Sequence, residues 1–539
     1  MKPKDDSIGS RILIVAVALA LVIALPFALK PDQNLLAAAD EALVIVSPHN
    51  EAVRHEFTLA FVSHYKNKTG RSIRLDWRLP GGTSEIARFL AGEYLASFQN
   101  SWTSQGRAWT PAVAGAFDNP NVTLPANPQD DSPAQAARRT FLASGTGIGI
   151  DLFFGGGAYD FTQQAKAGRL VPTDVITNHP TWFSDDSIPQ KVSGETFYDP
   201  RHLWVGACLS SFGICYNADS LRRLGVNELP SSWRDLTNPI FLRQVALADP
   251  TKSGSAAKAF EMVIQQQMQE LVDSVGSADE DVLAIGWTRG LEIIQAASAN
   301  ARYFTDSAPK IPLDVSLGDA AIGMCIDFYG RFQSEAVQIG DTPSRLQYFT
   351  PAGGSSVGVD PIGLLRGAPN RAAAEEFIAF VLSLEGQKLW NFKVGAPGGP
   401  TKYALRRLPI RKELYAPEFA SCRSDPHVLP YEEAKLFTYH AEWTAPLFRV
   451  MGFVIRVMCL DLHDEQVESW QALKTAGFPR QAYKKFSDLQ AVNYQAARTT
   501  LKDALASPNR IDEVRLAKEL ADQFRAQYRE AARLAQEGK

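Results

Sequence analysis

Cysteine, histidine and surplus charge are scarce in this chain of 539 residues, which has five cysteines, eight histidines and a formal net charge of -4. The cysteines show neither C-x-x-C spacing nor a zinc pattern, so a metal cluster is not expected. Without a basic surplus, nucleic acid is not expected as a partner either. No cysteine lies near residue 40, which excludes a lipoprotein anchor at that point.

Long hydrophobic runs are also scarce, and the clearest one is close to the N-terminus. A basic start precedes Ile12 to Leu29, an uncharged apolar run of about 18 residues, near the lower bound for spanning a bilayer. Ala37 to Ala39 offers a small-residue cleavage site, well beyond the run. Residues 1–39 are therefore predicted to be an export signal or an N-terminal membrane anchor, with residues 12–29 in the membrane and the rest of the chain exported.

Two of the cysteines leave alternatives open. Cys208 and Cys215 would oppose each other if their segment formed a strand pair, and an oxidising compartment would permit a disulfide between them. The other interpretation is that both are small buried thiols.

The amino-acid composition, 45% hydrophobic and 21% charged, is typical of globular proteins. The chain is long enough for two or three domains. Ala42 to Ser47 is a continuous apolar run, typical of a strand in a parallel sheet covered by helices. It is followed by a polar turn at Pro48 to Glu51 and a helical pattern. Ile73 to Arg78 predicts a second strand, and Pro80 to Ser84 a second small-residue turn. These turns would lie side by side at the carboxyl ends of neighbouring strands, where α/β folds bind ligands.

The stretch from Leu203 to Ser255 changes character several times. Leu203 to Tyr216 predicts two short strands that meet at Ser210 and Ser211, as in a segment that crosses between domains. Gln244 to Ala248 predicts another strand, and Asp249 to Ser255 leads from its end into a long helix. A Thr/Ser/Gly loop at this point directs backbone N–H groups and hydroxyls at one place, which favours an anion.

The order of three motifs in this stretch carries a family resemblance: the pair Tyr216-Asn217, then P-x-x-W-x-D-L-x-x-P from Pro230, then D-P-x-x-S-G-S from Asp249. The chain resembles bacterial extracellular solute-binding proteins of ABC transporters, most of all the ferric-iron-binding-like branch, from about Ala42 to about Thr401. The resemblance implies a type II periplasmic-binding fold and a periplasmic location. It also implies a small-molecule solute and an inner-membrane ABC permease as partners. We expect a monomer without a cofactor and without enzymatic activity.

The fold class expected is therefore α/β, with two lobes joined by a hinge of crossing strands and an appended C-terminal helical region. The hinge is expected near Leu203 to Tyr216 and again near Cys325 to Thr350. The predicted domains after the N-terminal segment are lobe 1 at 40–206 with an insertion at about 94–144, lobe 2 at 207–345, a return to lobe 1 at 346–400, and a helical extension at 401–539.

In iron-binding members of the family, the resemblance implies a histidine, a glutamate and two adjacent tyrosines as ligands. His49 matches the histidine, the glutamate position falls within Gly155 to Gly157, and the tyrosine pair falls on Phe328 and Tyr329. Two of the four ligand types are missing, so iron is not the preferred solute. If iron were bound after all, His49 and Tyr329 would hold it.

The remaining turn residues suit a small anionic solute such as an organophosphate, a phosphonate or a carboxylate, held by N–H groups and hydroxyls. Asp327 would accept from a hydroxyl or amine at the other end of the solute. The same residue types are also common in turns of any protein. The predicted ligand-binding residues are Ser47, His49, Gly82, Thr83, Ser84, Gly155, Gly156, Ser210, Ser211, Thr251, Ser253, Gly254, Asp327 and Tyr329.

The function predicted from the sequence is capture of such a solute for an ABC importer. Two alternatives stay open: a ferric-ion-binding transport protein, and a membrane-anchored periplasmic sensor or scaffold. An exported enzyme is not expected, because no acid and base are paired at suitable positions.

Overall fold

The computed structural model of this protein describes residues 39–340, 342–507 and 509–539. The apolar run at 12–29, predicted as an export signal or anchor, lies outside the described residues. The strands are β1 Glu41–Val46, β2 Ile73–Arg78, β3 Leu152–Phe154, β4 Leu170–Val171, β5 Lys191–Val192, β6 Glu195–Thr196, β7 Val205–Ser210, β8 Phe212–Asn217, β9 Val245–Ala248, β10 Ala301–Thr305, β11 Ile322–Ile326, β12 Leu346–Phe349, β13 Gly358–Leu365 and β14 Leu408–Pro409.

Helices alternate with these strands as far as β14 and follow one another after it, joined in places by short 3₁₀ and π-helical turns. The helices are α1 Glu51–Thr69, α2 Thr83–Ser104, α3 Pro111–Ala114, α4 Pro133–Ala143, α5 Ala158–Ala167, α6 Val175–Asn178, α7 Ala218–Arg223, α8 Gly254–Val275, α9 Glu280–Ala299, α10 Lys310–Leu317, α11 Asp327–Ala336, α12 Arg371–Leu382, α13 Leu384–Asn391, α14 Pro430–Glu433, α15 Ala441–Thr444, α16 Phe448–Ile455, α17 His463–Thr475, α18 Arg480–Phe486, α19 Tyr494–Ala496, α20 Lys502–Ala506 and α21 Arg510–Gln536.

The larger sheet forms the core of lobe 1, which comprises residues 39–210 and 358–434. Its strand order is β14-β7-β13-β3-β1-β2, and β4 pairs with β13 beside this path. β1 is parallel to β2 and β3, whereas β13 is antiparallel to β3. Leu43 and Ile45 on one face of β1 and Val46 on the other are fully buried, as the continuous apolar run predicted, because a central parallel strand is covered on both faces.

The second sheet forms the core of lobe 2, residues 212–349, with strand order β10-β9-β11-β8-β12. β9 is parallel to β10 and β11, and β8 runs antiparallel between β11 and β12. The long helices α8 and α9 pack against each other beside this sheet. Gly286 and Gly290 of α9 allow the close approach, because a Cβ at either position would lie within 2.6 Å of the backbone of α8.

The chain crosses between the lobes three times within the described residues. The first crossing joins β7 in one sheet directly to β8 in the other at Ser211, where the sequence predicted two strands to meet. The second crossing lies at 350–357, between β12 and β13, just beyond the predicted Cys325 to Thr350 region. The third was not predicted: Ala434 belongs to the core of lobe 1, and Phe437 belongs to the core of lobe 2.

The first crossing also corrects the proposed strand pair between Cys208 and Cys215. β7 and β8 are consecutive but belong to different sheets, so these cysteines do not oppose each other. Both are free buried thiols, which agrees with the second interpretation.

The expected insertion at 94–144 is more regular than its composition indicates. α2 continues through Ser104, and α3 and α4 follow it. Phe98 stacks on Phe117 with ring centroids 5.0 Å apart, and Phe141 packs edge-on against both rings. An aromatic cluster of this kind attaches the segment to lobe 1, since buried rings supply large apolar contact areas.

The residues after 437, here called the C-terminal region, form the predicted helical region and pack against the core of lobe 2. Trp287 of α9 donates from Nε1 to the carbonyl of Val492 at 3.0 Å, and Gln295 donates to the carbonyl of Phe486 at 3.0 Å. Buried polar groups need such partners. Residues 401–434 pack instead against lobe 1, so the predicted extension at 401–539 serves both lobes.

One helical segment of the described residues, Ala441–Leu460, is long and apolar enough to cross a bilayer by length and composition. Of its most apolar window, 67% is buried inside the protein, which is typical of a core helix in a folded domain.

Glu56 of α1 connects the first helix of lobe 1 to the chain beyond residue 400. Its carboxylate accepts from the backbone N–H groups of Thr401, Lys402 and Tyr403 at 2.7 to 2.8 Å. Burial favours the neutral acid, but these hydrogen bonds outweigh it and lower the pKa of Glu56.

We expect Glu56→Ala to lower the free energy of unfolding by about 2–3 kcal/mol, because three N–H groups lose a buried charged acceptor. Urea denaturation measures this difference, with the exposed Glu93→Ala on α2 as the matched control. A lowered pKa stabilises the fold above the unfolded pKa of about 4.3, and this stabilisation is lost as pH falls through the folded value. The difference between wild type and variant should therefore shrink below about pH 4; equal stabilities at pH 7 would contradict this role.

Candidate functional site

A cavity of about 460 Å³ lies between the two lobes. Lobe 1 lines it with the β1–α1 turn, the first turns of α2 and α5, and the β5–β6 hairpin. Lobe 2 lines it with the loop before α8 and the first turns of α8 and α11. Pockets of this size hold small molecules in other proteins, and they occur at such lobe boundaries.

Several helices begin at this cavity because each follows a strand that ends there. α2 begins after Gly82, α5 after Gly157, and α8 after Ser253, whose Oγ accepts from the N–H of Ala256 at 3.3 Å. α1 begins after Asn50, which accepts from the N–H of Val53. The first N–H groups of a helix have no partner within it and carry partial positive charge, so these ends together favour a negatively charged group.

The two lobes touch across the cavity at glycines. A Cβ placed on Gly82 of lobe 1 would lie 3.4 Å from the carbonyl oxygen of Lys252 in lobe 2. One placed on Gly254 of lobe 2 would lie 3.7 Å from Asp160 Oδ2 and 4.0 Å from Thr83 Cβ in lobe 1. The structure is thus a closed form in which the helix ends of both lobes face one small space.

Eight of the residues predicted from the sequence line this cavity. Ser210 Oγ and both ring nitrogens of His49 are buried there without a hydrogen-bond partner. Burial, together with the positive charges of Arg407 and Arg54, lowers the pKa of His49 well below its ordinary value, so its ring is neutral at pH 7. The eight are His49, Gly82, Thr83, Gly156, Ser210, Ser253, Gly254 and Tyr329.

Three of the predicted residues are not part of the lining because their polar groups serve the local fold. Ser47 Oγ accepts from the N–H of His49 at 3.0 Å. Thr251 donates from Oγ1 to Asp249 at 2.7 Å. Asp327 accepts from the guanidinium of Arg331 at 2.7 Å. It is not part of the lining, whereas the sequence prediction placed it at one end of the solute.

The other three also lie outside the lining. Ser211 Oγ is 3.2 Å from Thr350 Oγ1, which joins the first and second crossings. Gly155 lies behind His49, where a Cβ would come within 2.6 Å of the imidazole ring, and its φ of 91° suits glycine. Ser84 is in the first turn of α2 but away from the cavity.

The sequence prediction missed the charged groups of the cavity, beginning with a cluster next to the hinge. Lys258 Nζ of lobe 2 is 3.0 Å from Glu195 Oε1 of lobe 1 and 2.9 Å from Glu261 Oε2 of its own helix. Burial disfavours the charged amine, but these two carboxylates outweigh it and raise the pKa of Lys258. Ser356, in the second crossing, donates to Glu195 at 2.6 Å.

A second missed pair lies deeper in lobe 1. Arg407 donates from Nη1 to Asp360, and its guanidinium lies 3.8 Å from the ring centroid of Phe328 in lobe 2. Arg407, Asp360, Glu195 and Lys258 lie in segments where no motif was recognised in the sequence. The pairs Lys258 with Glu195 and Arg407 with Asp360 join residues more than 40 positions apart, and such pairs have no local signal in a single sequence.

Asp160, in the first turn of α5, is a third missed residue. It lines the cavity between the beginnings of α2, α5 and α8. Burial raises the pKa of Asp160 to about 7, while the N–H groups of Gly157 and of Asp160 itself act in the opposite direction. Near neutral pH a large fraction of this carboxyl is therefore protonated, which weakens its competition with an anion for the positive helix ends.

The iron ligands implied by the resemblance are not assembled in the described residues. No group of three or more His, Cys, Asp or Glu side chains is placed there to hold a metal ion. Phe328 occupies the position of the first tyrosine, and its ring packs on Tyr329 with centroids 4.1 Å apart.

Comparison with known families settles the relationship. Residues 148–424, more than half of the chain, match the family model of bacterial extracellular solute-binding proteins. The chain belongs to this family. The resemblance inferred from the sequence is confirmed, and so is the two-lobed α/β solute-binding fold with its C-terminal helices. The family is one of binding proteins, in agreement with the expectation that this protein is not an enzyme.

Individual relatives of this solute-binding protein are distant. An uncharacterized protein of Haemophilus influenzae is 25% identical over 243 residues, which are 44% of this chain and 60% of that one. The chain thus spans about three fifths of that relative's length. The periplasmic binding protein AfuA of Actinobacillus pleuropneumoniae, solved with fructose-6-phosphate, is 16% identical with a TM-score of 0.49, covering 80% of this chain and 98% of its own. Iron-bound HitA of Pseudomonas aeruginosa is 15% identical with a TM-score of 0.44, covering 77% and 99%.

We expect Asp160→Asn to change the pH dependence of stability of this solute-binding protein. A carboxyl whose folded pKa is raised stabilises the fold below the unfolded pKa, and this stabilisation is lost as pH rises through the folded value of about 7. At pH 8 the variant should be more stable than wild type by on the order of 1–3 kcal/mol. Urea denaturation between pH 4 and 8 measures this, with exposed Asp273→Asn on α8 as the control. If the free energy of unfolding changed with pH in the same way in wild type and in Asp160→Asn, the raised pKa of Asp160 would be refuted.

Proposed function

We propose that this protein captures a small anionic solute between its lobes and presents the closed form to an inner-membrane ABC permease. The observation that carries the proposal is the convergence of the first turns of α2, α5 and α8 on one cavity between the lobes. An exported location, with the N-terminal segment as signal or anchor, belongs to the same proposal. A phosphate, phosphonate or carboxylate group suits these helix ends.

The charges around the cavity support an anion held mainly by backbone groups. Lys258 and Arg407 are already paired with carboxylates, so neither is a free countercharge for the solute. Lys252 is exposed beside the mouth of the cavity, where a positive charge attracts an approaching anion. Asp160 lies between the helix ends, and because burial raises its pKa to about 7, it repels an anion less than a fully ionised carboxylate would.

The part of the lining around Ser210, His49 and Trp204 suits a polar, uncharged part of the solute. Ser210 Oγ, His49 and the indole Nε1 of Trp204 are buried in the lining without partners. A neutral histidine offers one donor and one acceptor, and a serine hydroxyl offers both. These groups would pair with hydroxyl or carbonyl groups of an organophosphate or hydroxycarboxylate, since buried polar groups are usually hydrogen-bonded.

A panel of inorganic phosphate, glycerol 3-phosphate, glucose 6-phosphate, 2-aminoethylphosphonate, citrate and ferric citrate tests the solute class. A solute that binds only the native state raises the melting temperature. We expect at least one phosphorylated or carboxylated compound to do so, and to give a compact, closed form in small-angle scattering. Stabilisation by ferric ion from ferric citrate, with no response to metal-free anions, would refute the anionic-solute proposal in favour of iron.

Gly254 offers a sharper test within the site. In Gly254→Val the new methyl groups enter the space next to Asp160 and Thr83 at the beginning of α8. We expect at least a tenfold weaker affinity for the compound that the panel identifies, about 1.4 kcal/mol. Isothermal titration calorimetry measures it. The control is Gly92→Val in the exposed middle of α2, where a Cβ meets no neighbour within 4 Å; equal affinities of the two variants would contradict the proposed position of the anion.

A further inference from the structure

The third crossing brings part of the C-terminal region to the cavity. Four residues of the segment Tyr439–Phe448 line the cavity, although the segment begins beyond residue 424, where the family match ends. These residues are Tyr439, Ala441, Ala445 and Phe448. The segment therefore adds to lobe 2 a part of the cavity lining that lies beyond the family match.

This segment is firmly attached to lobe 2 through α8. Tyr439 donates from its hydroxyl to Glu261 at 2.9 Å, and its ring lies 3.5 Å below Lys258 Nζ. Gln265 donates to the carbonyl of His440 and to Thr444 Oγ1, both at 2.7 Å. Glu261 and Gln265 are fully buried, so moving the segment away from α8 would leave their polar groups without these partners.

Its attachment to lobe 1 is slighter. The N–H of Tyr439 donates to the carbonyl of Ser193 at 2.8 Å, at the turn of the β5–β6 hairpin. A Cβ on the neighbouring Gly194 would lie 1.9 Å from the carbonyl oxygen of Tyr439, so only glycine permits this contact. At the other end, Phe448 packs against Tyr159 of α5 with ring centroids 4.5 Å apart.

We propose that Tyr439–Phe448 is a wall of the solute site that moves with lobe 2, and that solute exchange requires Phe448 to separate from Tyr159. The segment has fewer contacts with lobe 1 than with lobe 2, so we expect it to stay with lobe 2 when the lobes separate. Opening then breaks the Tyr439–Ser193 hydrogen bond and the Phe448–Tyr159 contact, and it keeps the buried hydrogen bonds to α8. The proposal rests on the proposed function for its occupant, because the cavity must hold a solute. Its geometry can be tested without any solute.

The wall also limits the solute that fits. Ala441 and Ala445 present only methyl groups to the cavity, and Phe448 presents a ring. The part of the solute that faces this side is therefore uncharged and apolar, such as the face of a sugar ring or a short carbon chain, while its anionic group faces the helix ends.

Cysteine reactivity measures the opening of the wall. Ala445→Cys, introduced into the full-length protein, places a thiol inside the cavity, and peptide mapping after iodoacetamide treatment separates it from the native cysteines. We expect it to react slowly, and adding Phe448→Ala or, independently, Gly194→Ala should raise the rate at least tenfold by favouring the open form. Phe332→Ala, which removes a partly exposed ring on the outer side of α11, is the matched control and should leave the rate unchanged.

Two results would overturn the inference: a cysteine at 445 that reacts as fast as one at the exposed position Leu229, or unchanged rates in both Phe448→Ala and Gly194→Ala. Phe448→Leu keeps an apolar contact and should give an intermediate rate, and thermal melts show that each variant is folded. The solute panel is a separate outcome. If no anion binds, the proposed function fails, while the labelling rates still decide whether this segment opens with lobe 2.

Discussion

Backbone N–H groups at the beginnings of helices are the feature on which this site depends. A helix leaves its first amides unpaired, and a fold that directs several such ends at one space creates a positive potential without a charged side chain. Here Gly82 and Gly254 let the two lobes approach until these ends face each other. Larger side chains at both positions would hold the lobes apart and admit water, which weakens any electrostatic attraction in the gap.

The charged side chains have a different part in this arrangement. Lys258 joins Glu195 of lobe 1 to Glu261 of lobe 2, next to the crossings, and Arg406 of lobe 1 pairs with Glu335 of lobe 2 at 2.6 Å. These ion pairs connect the two lobes. They are poor partners for a solute, because each cation is already neutralised by a carboxylate. The second crossing contacts Glu195 through Ser356, so we expect lobe opening to be confined to a hinge on this side of the cavity.

The features of this fold that depend on neighbouring residues, the strands and the turns that follow them, could be predicted from the sequence. Apolar strands followed by turns rich in glycine and hydroxyl groups predicted the turn between β1 and α1 and the first residues of α2 and α8. The two strands that meet at Ser211 were predicted from the lack of helical spacing in their apolar residues. Pairs between distant segments, such as Lys258 with Glu195 or Arg407 with Asp360, have no local pattern and were missed. Ser47, Thr251 and Asp327 lie outside the cavity lining and have local partners, because turn-forming and solute-binding hydroxyls or carboxylates have the same sequence signature. The third crossing was missed because no strand marks it.

The most direct test of the account is a crystal structure with the anion that the solute panel identifies. The account predicts that its oxygens lie within hydrogen-bond distance of backbone N–H groups in the first turns of α2 and α8, with Phe448 closed on Tyr159. An anion held instead by Lys252 or Arg407 side chains, or bound outside the cavity between the lobes, would contradict it.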